Sequence, residues 1–116
     1  MLSVLLVEDH EPMRWMLRLL LSDLAAPIHE CGNGAEAGRA YAAARPDWVL
    51  MDIALPGLDG IAATQQLIAA NPDARVVIVT DYDDAEMRQA AEAAGARGYV
   101  LKENLLDLRR LLQSQD

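Results

Sequence analysis

Val4-Leu5-Leu6-Val7-Glu8-Asp9 decides how this chain reads: four consecutive apolar residues stop on two carboxylates. A half-buried strand alternates apolar with polar residues. An unbroken apolar run this short fits a strand covered on both faces, as in a parallel sheet. Two more runs share the pattern, Trp48-Val49-Leu50-Met51 leading into Asp52 and Val76-Val77-Ile78-Val79 leading into Thr80. Shorter, more polar stretches at Ile28–Cys31 and Tyr99–Leu101 fit the edges of the sheet, and Lys102 follows the second of them.

Helical spacing fills the intervals. Met13, Met16, Leu17, Leu20, Leu21 and Leu24 recur at three and four residues behind Pro12, which a first helical turn tolerates. A second helix is expected over Ala35–Ala44, with Ala37, Ala40, Tyr41 and Ala44 on one face, and a third over Gly60–Ala70, before Asn71-Pro72. The fourth opens at Asp83, with Glu86 three residues on in a capping-box arrangement, and stops at Gly95. The last, Glu103–Gln113, points Leu105, Leu108, Leu111 and Leu112 one way. Strict strand–helix alternation predicts an α/β fold, a doubly wound parallel sheet with helices on both faces.

With 116 residues, 53% hydrophobic, and no linker or low-complexity tract, residues 1–116 read as one domain with its own core. The formal charge is −8, and the ten basic residues are scattered, which argues against direct nucleic-acid binding. No apolar stretch is long enough to span a bilayer and no signal-type segment opens the chain, so a soluble, cytoplasmic protein with no membrane partner is expected. Cys31 stands alone, which rules out an internal disulfide and suits a reducing compartment; it reads as a small buried hydrophobe. His10 and His29 are isolated and read as neither ligands nor acid–base catalysts, and Met13, Met16 and Met51 read as core.

In a parallel sheet all strands end at one edge, where ligands bind. Glu8, Asp9, Asp52, Thr80 and Lys102 would then converge. Each has a plain structural alternative: Asp9 as a helix cap, Glu8 as a charge at a helix start, Asp52 as a turn residue, Thr80 as a strand residue, Lys102 as a solvated charge. Their joint occurrence at four strand ends favours chemistry. Clustered carboxylates need neutralising, and an all-oxygen donor set suits Mg²⁺ with water and phosphate oxygens. A carboxylate beside such an ion is a setting for phosphoryl transfer, with Asp52 as nucleophile.

These residues resemble the response-regulator receiver family, the CheY-like domains of two-component signalling. The resemblance rests on Val4–His10, on Asp47–Gly60 with its Asp52-Ile53-Ala54-Leu55-Pro56-Gly57 core, on Val76–Thr80, and on Gly95-Ala96-Arg97-Gly98-Tyr99-Val100-Leu101-Lys102. The Asp9-His10 pair and the last stretch are most similar to the NarL/FixJ subgroup. The resemblance implies a flavodoxin-like five-stranded sheet of order 2-1-3-4-5 with five helices. It implies Asp52 as phospho-acceptor, Asp9, Asp52 and the Ala54 carbonyl as Mg²⁺ ligands, and Glu8 acting through water. Lys102 and Thr80 would bind the phosphoryl group, and Tyr99 would turn when Thr80 moves. Three positions depart from the commoner pattern: Glu8 for Asp, Asp81 after the switch threonine, where it would repel phosphate if it faced the site, and Glu103 for the usual proline.

The resemblance also implies a histidine kinase as partner, with Trp15 and Leu19, opposite the first helix's apolar stripe, as its contact. Leu106 and Tyr99 are candidates for a homodimer or output surface, and NarL/FixJ-type regulators carry an output domain in a longer chain. Two alternative classes use the same residues. A magnesium-dependent hydrolase would need an acid–base group two residues after the nucleophile, where Ala54 stands, and a pure binding module would not need the full carboxylate–Lys set.

Overall fold

The computed structural model describes residues 1–114. Five parallel strands, β1 (Leu2–Val7), β2 (Ala25–Cys31), β3 (Trp48–Met51), β4 (Val76–Thr80) and β5 (Gly98–Leu101), form one sheet in the order 2-1-3-4-5. They alternate with α1 (Glu11–Leu21), α2 (Ala37–Ala44), α3 (Gly60–Ala70), α4 (Ala85–Ala93) and α5 (Leu105–Gln113), giving the expected flavodoxin-like arrangement. Single 3₁₀ turns precede α2 and α5.

Apolar residues fill both faces because neighbouring positions in a strand point opposite ways. Leu5, Val7, Val49, Met51 and Ile78 face a layer made by α2, α3 and α4 through Tyr41, Ala63, Leu67 and Ala91. Val4, Leu6, Trp48, Leu50 and Val79 face α1 and α5 through Leu17, Leu21, Leu108 and Leu112. Every residue of β3 and β4 is buried, which is why these strands read as unbroken apolar runs. Each fully buried Leu or Val contributes about 1.5–3 kcal/mol.

The structure corrects the sequence reading at several points. Strand β2 begins at Ala25, not Ile28, and takes in Pro27, which the sheet's edge tolerates because one side of the strand has no ladder partner. Met16 is exposed: the α1 core stripe narrows to Leu17 and Leu21, with Met13 and Leu20 at its margin. Helix α4 is capped by Asp84, whose Oδ1 accepts from the N–H groups of Glu86 and Met87, while Asp83 pairs with Arg88 at 3.3 Å. Cys31 is half-buried against the core, and burial raises its thiol pKa. Among the described residues no helix is long and apolar enough to cross a membrane.

Candidate functional site

Strand register builds the site. Val7 is level with Met51 across the β1–β3 ladder, so the next residues, Glu8 and Asp52, emerge side by side, and the Asp52 N–H donates to the Val7 carbonyl at 3.0 Å. Thr80 is level with Leu101 across β4–β5, which delivers Lys102 to the same edge. After Asp52 the chain turns tightly into α3. There a side chain on Gly60 would collide with the Asp52 carbonyl oxygen, so only glycine lets the helix start this close. Asp59 caps that helix, accepting from Ile61 and Ala62.

Glu8 and Asp52 are nearly fully buried, at 3% and 5% exposure, and Asp9 is exposed beside them. Ligand oxygens of all three lie within 4.8 Å of one another. The Lys102 ammonium bridges the buried pair, 2.8 Å from Glu8 Oε1 and 3.3 Å from Asp52 Oδ2. Burial pushes the Glu8 pKa up, opposed by its hydrogen bond from Lys102 and reinforced by the Asp52 charge. Burial works against the Lys102 ammonium, but the Glu8 hydrogen bond and the charges of Asp52 and Glu8 outweigh it and raise its pKa. One ammonium against three carboxylates leaves the rim short of positive charge. A small divalent cation fits that deficit and the all-oxygen donor set.

Thr80 is fully buried at the same edge, but its hydroxyl is turned toward the β4–α4 loop, where Oγ1 accepts from the Tyr82 N–H at 3.3 Å. Tyr99 is half-buried on β5 and reaches that loop rather than the carboxylates. Its ring lies under the Arg88 guanidinium at 4.6 Å, and burial raises its phenol pKa against the pull of the Arg88 charge. Asp81 is exposed, so water screens the repulsion it would exert on a phosphate. Glu103 sits in a 3₁₀ turn, Lys102–Asn104, so the chain passes into α5 without the proline. Ala54 lies exposed in the turn after Asp52. Trp15 and Leu19 are exposed on α1 at 60% and 55%, and Leu106 on α5 at 64%. Sequence reasoning missed Tyr82, which joins Thr80 to Tyr99 through its backbone, and Arg14, which holds the Glu8 backbone.

Residues 4–114 match the model of the response regulator receiver domain. The DNA-binding transcriptional activator DevR/DosR of Mycobacterium tuberculosis is 40% identical over 105 residues, 89% of this chain and 48% of its own length. The chemotaxis protein CheY of Halobacterium salinarum is 39% identical over 100 residues, covering 86% of this chain and 83% of its own. Among solved structures, a LuxR-family two-component response regulator from Aurantimonas superposes with a TM-score of 0.88 at 32% identity, over 97% of this chain and 86% of that one. The chain spans about half the length of DevR/DosR and of other curated regulators it matches, and most of the chemotaxis protein.

Proposed function

This chain belongs to the response regulator receiver domain family, the phosphorylation-dependent switches of two-component signalling, and from that premise we propose the role of each residue in its site. Asp52 is the phospho-acceptor. Its carboxylate attacks the phosphorus of a phosphohistidine on a histidine kinase. The P–N bond breaks, its electron pair returns to the imidazole, and an acyl phosphate forms on Asp52. Asp9, Asp52 and the Ala54 carbonyl would hold Mg²⁺, with Glu8 reaching it through water; the ion supplies charge neutralisation for the transferred group.

The observation that carries this reading is the Lys102 bridge. Its ammonium already sits 3.3 Å from the proposed nucleophile and needs only a small shift to pair with a phosphoryl group on Asp52. Thr80, one strand away, would turn its hydroxyl from the loop to the phosphoryl oxygens, and Tyr99 would follow the loop. A new dianion favours whichever of two balanced arrangements pairs with it.

The same residues support a regulator rather than an enzyme with external turnover, because Ala54, two positions after Asp52, offers no acid–base group. Residues 1–116 would act as one receiver unit serving an output domain in a longer chain, in the cytoplasm. Trp15 and Leu19 would meet the kinase. Leu106 and Tyr99 would lie on a homodimer or output face.

Mass spectrometry after incubation with acetyl phosphate and Mg²⁺ tests the assignment. The wild type should gain one phosphoryl mass, and Asp52→Asn should gain none. Equal labelling of both would overturn it.

A further inference from the structure

Helix α1, like α2 and α5, begins without a side-chain cap. Its capping residue, His10, makes no side-chain bond to the helix, whereas Asp59 and Asp84 cap α3 and α4. The loop leading into it, Glu8–Asp9–His10, carries two of the three clustered carboxylates, so something else must fix it. Arg14, one turn into α1 and only 21% exposed, is that fixture. Its Nη1 donates to the Glu8 carbonyl oxygen at 2.7 Å, and its Nε donates to Glu30 Oε1 at 2.9 Å. Glu30, near the end of β2, is held in turn by Arg18 at 2.7 Å.

The Glu8 carbonyl belongs to the peptide plane it shares with the Asp9 nitrogen. A guanidinium locked to that oxygen sets the plane from which the Asp9 side chain departs. Glu8 has further restraints, its N–H donating to the Cys31 carbonyl at 3.1 Å and its Oε2 accepting from the His10 N–H at 3.1 Å. Asp9 is exposed and takes its direction from the backbone.

We propose that Arg14 is a positioning residue for the divalent cation, with Glu30 as its orienting partner: together they tie the Glu8–Asp9 peptide to the end of β2 and aim Asp9 at the ion. The proposal rests on the reading that Glu8, Asp9 and Asp52 hold Mg²⁺. The bonds of Arg14 run to Glu8 and Glu30 and not to the nucleophile, so its loss should weaken ion binding and leave the chemistry of the loaded site intact.

The test is the Mg²⁺ dependence of acetyl phosphate labelling in wild type, Arg14→Ala, Arg14→Lys and Glu30→Gln, with calorimetric Mg²⁺ titration in the absence of any donor. In Arg14→Ala the half-saturating Mg²⁺ concentration should rise about tenfold, the low end of what hydrogen-bonding partners of metal ligands contribute. The rate at saturating Mg²⁺ should stay within about twofold of wild type, the signature of lost ion binding rather than lost chemistry. Arg14→Lys, able to reach the Glu8 carbonyl but not Glu30 as well, should recover part of the affinity. Glu30→Gln should show a smaller shift in the same direction, and it serves alone should Arg14→Ala fail to fold. An unchanged Mg²⁺ requirement in both Arg14→Ala and Glu30→Gln would overturn the proposal, as would a saturating rate that falls as far as the affinity. A wild type whose labelling ignores Mg²⁺ would instead remove the underlying cation site.

Discussion

The hydroxyl of Tyr99 donates to the backbone carbonyl of Tyr82 at 2.6 Å, while the N–H of the same Tyr82 donates to Thr80 Oγ1 at 3.3 Å. One backbone residue therefore links the Thr80 hydroxyl, at the edge that carries the proposed phospho-acceptor, to the half-buried Tyr99 ring on β5. For Thr80 to turn toward a phosphoryl group, the Tyr82 bond must break or the loop must follow.

Tyr99→Phe removes the outer of these two bonds. A net contribution of about 1 kcal/mol is typical for one hydrogen bond, and this one belongs to the arrangement seen here. Its loss should ease the transition, so the beryllofluoride concentration needed for half-conversion, followed by amide shifts of residues 81–84, should fall severalfold. A midpoint equal to wild type would show that the bond survives in both arrangements.

Gly60 and Gly38 give a contrast in stability. A Cβ at Gly60 meets the Asp52 carbonyl, a backbone atom that cannot step aside, whereas one at Gly38, within α2, meets nothing within 4 Å. In urea unfolding, Gly60→Ala should lose about 3 kcal/mol or more, the upper range for overpacking. Gly38→Ala should gain about 0.5–1 kcal/mol from helix propensity. Equal effects would mean that α3 can draw back from Asp52 far enough to admit a methyl group.

Asp23 and Arg109 join the end of α1 to α5. Arg109 donates to both Asp23 carboxylate oxygens, at 2.8 and 3.0 Å, and to the Leu20 carbonyl at 2.6 Å. The hydrogen bond from Arg109 holds the Asp23 pKa below its ordinary 3.8. A carboxyl group whose pKa is depressed by folding adds stability above its unfolded pKa and loses it as pH falls through the folded value. Asp23→Asn should therefore unfold at lower urea than wild type near neutral pH, and the two should converge well below pH 3.8. A gap that persists in strong acid would assign the contribution to packing rather than charge. Asp23 is solvent-exposed, so the neutral-pH gap should be small and should shrink with salt.

The proposed kinase contact at Trp15 can be tested apart from the chemistry at Asp52. Trp15 is 60% exposed on α1, where it should contact a kinase but not the reacting carboxylate. Trp15→Ala should slow phosphotransfer from a cognate histidine kinase by about tenfold or more, as loss of a buried interface aromatic commonly does. Labelling by acetyl phosphate should stay unchanged. Equal kinase rates would move the contact elsewhere.

Much of this was legible in sequence because the central strands are covered on both faces. Val4–Val7, Trp48–Met51 and Val76–Val79 are apolar without interruption, and the polar residue that follows each can only be at the rim. The strand order was not legible from periodicity, which fixes alternation but not adjacency; it came with the family resemblance. The start of β2 was hidden by Pro27, a residue that argues against a strand except at an edge. Asp83 and Asp84 have equal capping chemistry, and only the backbone path decides between them. The Arg14–Glu30 pair, 16 residues apart, and the Tyr82 relay depend on side chains meeting across the fold, for which local sequence carries no period.

The decisive measurement is a crystal structure with Mg²⁺ and beryllofluoride. The beryllium group should lie on an Asp52 oxygen, with an ion about 2.1 Å from Asp9, Asp52 and the Ala54 carbonyl. Lys102 Nζ should leave Glu8 for a fluorine, and Thr80 Oγ1 should leave the Tyr82 N–H for another. An Asp52 without adduct in crystals grown at saturating beryllofluoride, or an ion that ignores Asp9, would contradict the proposed site.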